Sequence, residues 1–326
     1  MSAPASPLAV AETTAAGRPC PGRDWTAVGA ALRRHLSGEA VVRVGEPLAR
    51  RTTLRVGGPA DLYVEPASET DLAALVRFCA EHALPWRVLG RGSNLLVRDG
   101  GVRGVVVCLA HPGFGAVRVE GCAIHAGAGA RVKAVAAAAL RHGLSGLEFF
   151  EGIPGSVGGA LRMNAGAFGG STFAVLDRVR GMDPHGAIWE RPAAEIPVQY
   201  RGCPLFTTHL ALGAVFRGRP DAVEAIRARM AEYGRRRGQT QPRDPSAGCI
   251  FKNPAAVPAG RLVEELGLKG VRVGGARISE VHGNFIVNDG TATARDILEL
   301  IRRVQAEARA RRGIELEPEV EILGED

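Results

Sequence analysis

The chain reads as an α+β protein, and three observations carry that class. Residues 60–64, 72–79 and 86–89 alternate strand, helix and strand: Ser68 and Asp71 offer a helix cap ahead of Leu72, Leu75, Val76 and Cys79 at helical spacing, with a short apolar run on either side. Residues 102–126 and 175–216 hold several short β-like runs parted by turns. The last third carries two long helical patterns instead, over residues 221–237 and 293–311. The 326 residues suffice for two or three compact units, because domains span roughly 50–250 residues.

In chain order, residues 1–22 are rich in Ala, Pro, Ser and Thr without an apolar period, so they read as a mobile tail. Val28, Leu32 and Leu36 mark a helix over residues 25–36, and residues 41–44 lead toward Arg51. Gly57, Gly58 and Pro59 turn the chain into the strand at 60–64, and the strand–helix–strand unit closes at Leu89. Strands follow at 102–109, 116–119 and 123–126, and an alanine-rich helix at 130–142 stops at Gly143. Residues 175–182 and 187–191 form a strand pair across the turn Asp183-Pro184-His185-Gly186, and 210–216 adds a strand. The helix at 221–237 sets Val223, Ile226, Met230 and Tyr233 on one face, and its basic end suits the helix dipole. A boundary just before it leaves a main region over residues 23–217, split near residue 108, and a smaller unit over residues 218–326. That unit holds a helix at 259–266, a strand at 284–287, the helix ending near 311 and a closing stretch at 314–323.

Arginine supplies nearly all the positive charge: Lys133, Lys252 and Lys269 are the only lysines behind a net +7 and a pI near 9.5. With three Tyr, three Trp and no basic run interleaved with aromatics, no nucleic-acid partner is expected, and the moderate field favours a small anion. Cys20, Cys79, Cys108, Cys122, Cys203 and Cys249 form no C-x-x-C pair and no Cys/His ligand spacing, so neither a metal site nor a disulfide framework is expected. The first twenty residues lack the basic start and sustained apolar core of a secretory signal, and no run is long and apolar enough to span a bilayer. A cytoplasmic protein without a membrane partner is expected.

The most informative stretch is residues 145–170, SGLEFFEGIPGSVGGALRMNAGAFGG, whose eight glycines stand among few side chains able to fill a core. Glycine permits positive φ, and its missing Cβ lets a ligand lie against peptide N–H groups that bind phosphate oxygens. A second glycine turn runs through Gly90, Gly92, Ser93 and Asn94 into Leu95. Two such turns suit one long ligand carrying a diphosphate; tight corners between strands are the plainer use of the same residues.

Seven ordered blocks resemble one known family. They are RTTLRVGGPA at residues 51–60, GRGSNLLV at 90–97, GLEFFEGIPGSVGGALRMNAGAFG at 146–169, YR at 200–201, AGCIFKNP at 247–254, GNFIVN at 283–288 and LEPEV at 316–320. Together they resemble UDP-N-acetylmuramate dehydrogenase, also called UDP-N-acetylenolpyruvoylglucosamine reductase, a flavoenzyme family of bacterial cell-wall precursor synthesis. The resemblance implies a two-part FAD-binding region of the vanillyl-alcohol-oxidase/PCMH type and a smaller α+β substrate domain. It implies FAD and NADPH as cofactors and UDP-N-acetylglucosamine enolpyruvate as substrate, its enolpyruvyl ether being reduced to the lactyl ether. Hydride arrives at C3, negative charge develops at C2 and on the carboxylate, and C2 must be protonated. The first three blocks alone imply only FAD, so an FAD-dependent oxidase of the same group, or an idle flavin- or nucleotide-binding protein, stands as the alternative.

Residue by residue, the resemblance assigns cofactor contacts to Gly90, Gly92, Ser93, Asn94, Leu95, Gly152, Ile153, Pro154, Gly155, Ser156, Gly158, Gly159, Asn164, Ala165 and Gly166. Arg201 matches the motif arginine, whose planar guanidinium can grip the enolate carboxylate at two points. Glu319 matches the family's C-terminal glutamate, chosen over Glu315, Glu317 and Glu321 only by the PEV block. Cys249 stands where the family usually carries a serine proton donor. A thiol with an ordinary pKa of about 8.5 is a stronger acid than an alcohol, so it can donate to a carbanion. Arg201 or Lys252 would lower that pKa, Glu319 would raise it, and the sequence leaves the sign open. Arg162, Tyr200, Lys252 and Asn253 are the substrate-binding candidates; Lys252 equally suits an exposed surface, Asn253 a turn cap. Cys203, where the family commonly has serine, receives no role.

Overall fold

Asp24 starts the first helix, α1 (Trp25–Arg33), by accepting hydrogen bonds from the N–H groups of Thr26 and Ala27. The computed structural model describes residues 22–326, so the tail expected over residues 1–22 lies outside the described residues apart from Gly22. Strand β1 (Val41–Pro47) runs antiparallel to β2 (Pro59–Glu65). Helix α2 (Glu69–Glu81) begins where Ser68 Oγ accepts the Asp71 N–H at 3.1 Å. Beyond it come β3 (Trp86–Leu89), the short β4 (Leu95–Val97) and β5 (Val102–Cys108). The sheet order is β1-β2-β5-β3, with β2 and β3 each parallel to β5. Alternation along β2 and β5 divides the apolar residues: Leu62, Val64, Val105 and Val107 pack under α1 and α2, while Tyr63 and Val106 face the other way, toward Leu89, Leu95 and Val97. That second face lies beneath the first glycine turn.

The next unit is antiparallel. It contains β6 (Val117–Glu120), β7 (Ala123–Gly127), α3 (Val132–Arg141), β8 (Leu144–Ser145), α4 (Val157–Arg162), and the small pair β9 (Gly166–Ala167) and β10 (Gly170–Ser171). Then follow β11 (Leu176–Met182), β12 (Ile188–Pro192), β13 (Leu210–Arg217) and β14 (Arg219–Pro220). The order β12-β11-β13-β7-β6 makes one five-stranded sheet. Its inner face and α3 share a core with Ile124, Val135, Leu147, Phe150, Val179 and Phe216. Helix α4 was not foreseen inside the glycine stretch; it forms because Ser156 Oγ accepts the Gly159 N–H at 3.3 Å and so starts one short turn of helix.

Helix α5 (Val223–Thr240), which the sequence groups with the last unit, buries Ile226 and Met230 in this second core. Arg229 on its flank donates to the buried carboxylate of Glu148 through Nε at 2.9 Å and Nη2 at 2.8 Å, fastening the helix there. The last unit holds α6 (Ala259–Glu265), β15 (Arg272–Val273), β16 (Ala276–Ile278), β17 (Ile286–Asn288) and α7 (Ala294–Arg312). A Thr293/Asp296 capping box opens α7 and Gly313, at φ 63°, closes it. Strand β18 (Glu321–Leu323) then leaves this unit and pairs in parallel with β4. Leu54, Val56 and Leu96 cross the other way into the third core, beside Ile250, Leu262 and Ile301.

Candidate active site

The two glycine turns meet face to face. Ser93 Oγ donates to the Pro154 carbonyl at 3.3 Å. A Cβ on Gly90 would lie 3.1 Å from Ser156 Oγ, and one on Gly155, at φ 124°, would lie 3.0 Å from Ser93 Oγ. Gly92, at φ 62°, leaves no room at all, since a Cβ there would sit 2.3 Å from the Arg51 carbonyl oxygen. Between them runs a cleft of about 970 Å³, at the upper end of the roughly 300–1,000 Å³ range of small-molecule sites. Gly90, Gly92, Ser93, Asn94 and Leu95 line one wall; Gly152, Ile153, Pro154, Gly155, Ser156, Gly158, Gly159, Ala165 and Gly166 line the other. Among the described residues, the N–H groups of Gly92, Ser93 and Asn94 donate to no acceptor, so they are available to phosphate oxygens. Asn164 stands apart from this wall: its side chain accepts from the Phe173 N–H at 3.1 Å and donates to the Gln199 carbonyl at 3.3 Å, tying the loop behind it.

Beneath the first turn lies a network the sequence did not reveal. Tyr63 Oη donates to Glu65 at 2.7 Å, the Arg51 guanidinium lies 4.5 Å from the Tyr63 ring centre, and Arg51 Nε donates to Glu46 at 2.8 Å. Burial raises the Tyr63 phenol well above its ordinary pKa and the Cys108 thiol above its own, so both stay protonated. Arg51 opens the first resembling block, but in so arginine-rich a chain its charge alone carries no signal.

In the same cleft Arg201, Cys249 and Glu319 converge, each lining it. Arg201 sits in a turn closed by the Gln199 and Gly202 backbone, at the left-handed φ of 57°, a conformation a non-glycine residue holds only where its surroundings enforce it. Its Nε donates to Glu319 Oε1 at 2.9 Å and its Nη2 to the Gly166 carbonyl at 3.2 Å. The Glu319 N–H donates to the Ile250 carbonyl at 2.7 Å. Asn94 Nδ2 donates to the Glu319 carbonyl at 2.9 Å, so the first glycine turn holds the carboxylate's backbone in place. The buried Asn284 accepts from the Phe251 N–H and donates to the Phe251 carbonyl, which fixes the chain just after Cys249. Burial raises the Glu319 carboxyl above its ordinary range against the pull of Arg201 and Lys252. Burial first, and the Glu319 charge second, push the Cys249 thiol up to about 11, opposed by Arg201, Arg237 and a hydrogen bond with Asn284. The sign that the sequence left open is therefore upward, and Cys249 is a thiol at neutral pH.

The substrate-binding candidates divide. Arg162 lines the cleft and pairs with Glu321 at 2.6 Å. Tyr200, 54% exposed, lies 4.9 Å from the Arg201 guanidinium and outside the cleft wall. Lys252 pairs with Glu317, and Asn253 Oδ1 accepts the Ala259 N–H at 3.0 Å, so it caps α6. Arg91, Arg237 and Gln241 also line the cleft and were not singled out by the sequence. Among the described residues no His, Cys, Asp or Glu group is arranged to hold a metal ion, and no helix is long and apolar enough to cross a membrane.

A family model for an FAD-binding domain matches residues 60–190, and the glycine turns lie within that span. The free N–H groups of the first turn and the cleft between the two turns suit the diphosphate of FAD, so fold and site together define an FAD-dependent oxidoreductase. A second model, for the C-terminal domain of UDP-N-acetylenolpyruvoylglucosamine reductase, matches residues 241–323. Reductases of that name from Syntrophomonas wolfei subsp. wolfei and Alkalilimnicola ehrlichii are 42% and 45% identical, over 87% and 91% of this chain and 96% and 98% of theirs. The crystal structure of the Thermus caldophilus UDP-N-acetylenolpyruvylglucosamine reductase superposes with a TM-score of 0.75 at 40% identity, over 88% of this chain and 99% of that one. The chain belongs to the UDP-N-acetylenolpyruvoylglucosamine reductase family.

Proposed function

We propose that this protein reduces UDP-N-acetylglucosamine enolpyruvate to UDP-N-acetylmuramate in the cytoplasm, for peptidoglycan precursor synthesis, with NADPH as the reductant and Cys249 as the proton donor. The observation that carries this reading is the convergence of Arg201, Cys249 and Glu319 on the glycine-walled cleft. Bound FAD supplies the hydride that reaches C3 of the enolpyruvyl group, and NADPH restores it. The chain's own work is at C2 and at the carboxylate. Arg201 commits Nε to Glu319 and Nη2 to Gly166, which aims its remaining edge at the anion and holds it still while charge builds. As the C2=C3 double bond becomes single, the Cys249 S–H bond breaks, the proton forms the C2–H bond, and the electron pair stays on sulfur. The thiolate is then reprotonated from solvent.

The test is an anaerobic single turnover of the purified holoprotein. NADPH bleaches the flavin absorbance, and adding the UDP-linked enolpyruvyl sugar restores it. Bleaching without restoration by that sugar overturns the proposal; reoxidation by oxygen with peroxide release points to an oxidase, and no turnover at all to an idle flavin-binder.

A further inference from the structure

Arg237 is a cation in the cleft with no ion-pair partner among the described residues. It stands in the last turn of α5 and lines the same cavity as Cys249. Among the described residues it takes part in no ion pair and no side-chain hydrogen bond. Its neighbours on the helix are committed: Arg229 to Glu148 and Asp221, Arg235 to Glu232, and Arg236 over the Phe168 ring. Burial lowers the Arg237 pKa from the ordinary guanidinium value, with Cys249 pulling it back, so a charge is kept partly desolvated with nothing to balance it. The helix that carries it is held firmly by Ile226, Met230, Arg229 and the stacking of Tyr233 on Phe168 at 4.2 Å.

We propose that Arg237 is a positioning residue that serves as the counter-cation of the Cys249 thiolate left after proton transfer. The proposal rests on the reading of Cys249 as proton donor. Arg201, Arg237 and Glu319 line the cleft together with Cys249, and with the Asn284 amide they are the groups that act on its thiol. Arg201 is already balanced by Glu319 at 2.9 Å. When the S–H bond breaks and its electron pair stays on sulfur, the new anion stands beside that neutral pair, and Arg237 is the charge left to meet it. A guanidinium held in place stabilises the thiolate without giving up a proton itself, which lets a thiol with a high pKa act as an acid at all.

The test reads the thiol directly, without substrate. Holoprotein is treated with iodoacetamide between pH 7 and pH 10, and carbamidomethylation of the Cys249 peptide is followed by mass spectrometry. Arg237→Gln should slow labelling of Cys249 about five- to tenfold at a given pH, as a rise approaching one pKa unit requires, with Arg237→Lys restoring most of it. Arg237→Met is a second neutral variant with the same expectation, and retained flavin absorbance shows that each variant is folded. Labelling within twofold of the parent in the neutral variants, or an Arg237→Lys protein as slow as Arg237→Gln, overturns the proposal. Arg237→Gln should also slow flavin reoxidation by the sugar more than flavin reduction by NADPH. If the sugar fails to reoxidise even the parent while the labelling shift is present, the proton-donor reading falls and the charge coupling stands; the reverse result sinks the coupling alone.

Discussion

The glycine turns hold their part of the cleft with backbone, pressed against each other and against Arg51, whereas Arg201, Cys249 and Glu319 come to the cleft from three remote segments and act through side chains. The first design is rigid because every permitted conformation is forced by sterics: Gly92 has an Arg51 carbonyl where a Cβ would be. The second is held by few bonds, chiefly Arg201 to Glu319, Glu319 to Ile250 and Asn94 to Glu319. Cofactor binding and proton transfer should therefore fail separately when the two sets of residues are altered.

The sharpest separation comes from Cys249→Ala, which should lower flavin reoxidation by the sugar about 10²–10⁴-fold, the usual worth of a positioned acid, and leave reduction by NADPH near the parent rate. Cys249→Ser should keep much of both half-reactions; full turnover in the alanine variant would show that the proton comes from elsewhere. Gly92→Ala should break the glycine turns instead. It places a methyl group 2.3 Å from a carbonyl oxygen at φ 62°, which costs about 1–3 kcal/mol in conformation alone, so the purified protein should be colourless or lose FAD on dialysis. A yellow, fully loaded Gly92→Ala protein would refute the close approach. A smaller effect is expected from pH. Because the Cys249 thiol is pushed up to about 11, the donating form persists through neutrality and is lost only as pH rises toward that value. Reoxidation rates in stopped flow should be level from pH 7 to 9, and a fall centred near 8.5 would contradict the raised pKa. The mildest case is Asn253→Ala, which removes the cap on α6 and should cost about 1 kcal/mol of stability, read as a lower Tm with an unchanged KM for the sugar. A raised KM with an unchanged Tm would return Asn253 to the substrate.

What could be foreseen follows the same division. A turn that must run at positive φ against a neighbour's backbone imprints glycine on the sequence, so residues 90–94 and 152–159 were visible without any partner in view. Arg201 and Glu319 were visible only through their motif blocks, since a lone arginine or glutamate in this composition looks like any surface charge. Arg237 had no such aid, and Arg51 opens a motif block without its role being legible there: what distinguishes them is the presence or absence of a carboxylate beside them, which depends on packing between distant segments. Helix α4 escaped because its cap, Ser156, is embedded in glycines that weaken the helical pattern. Helix α5 was found, yet its allegiance was not, because an apolar stripe shows that a helix is covered but not by which sheet.

The pairing of β18 with β4 joins residues made far apart in translation. Asn94 and Glu319 are 225 positions apart, and among the described residues β4 has no other strand partner. A ribosome that releases residues about 5–20 per second therefore exposes the Leu95–Val97 edge well before its complement exists. The nascent protein must carry an open edge beside its cofactor turn throughout that interval, and the carboxylate of Glu319 enters the cleft only after it.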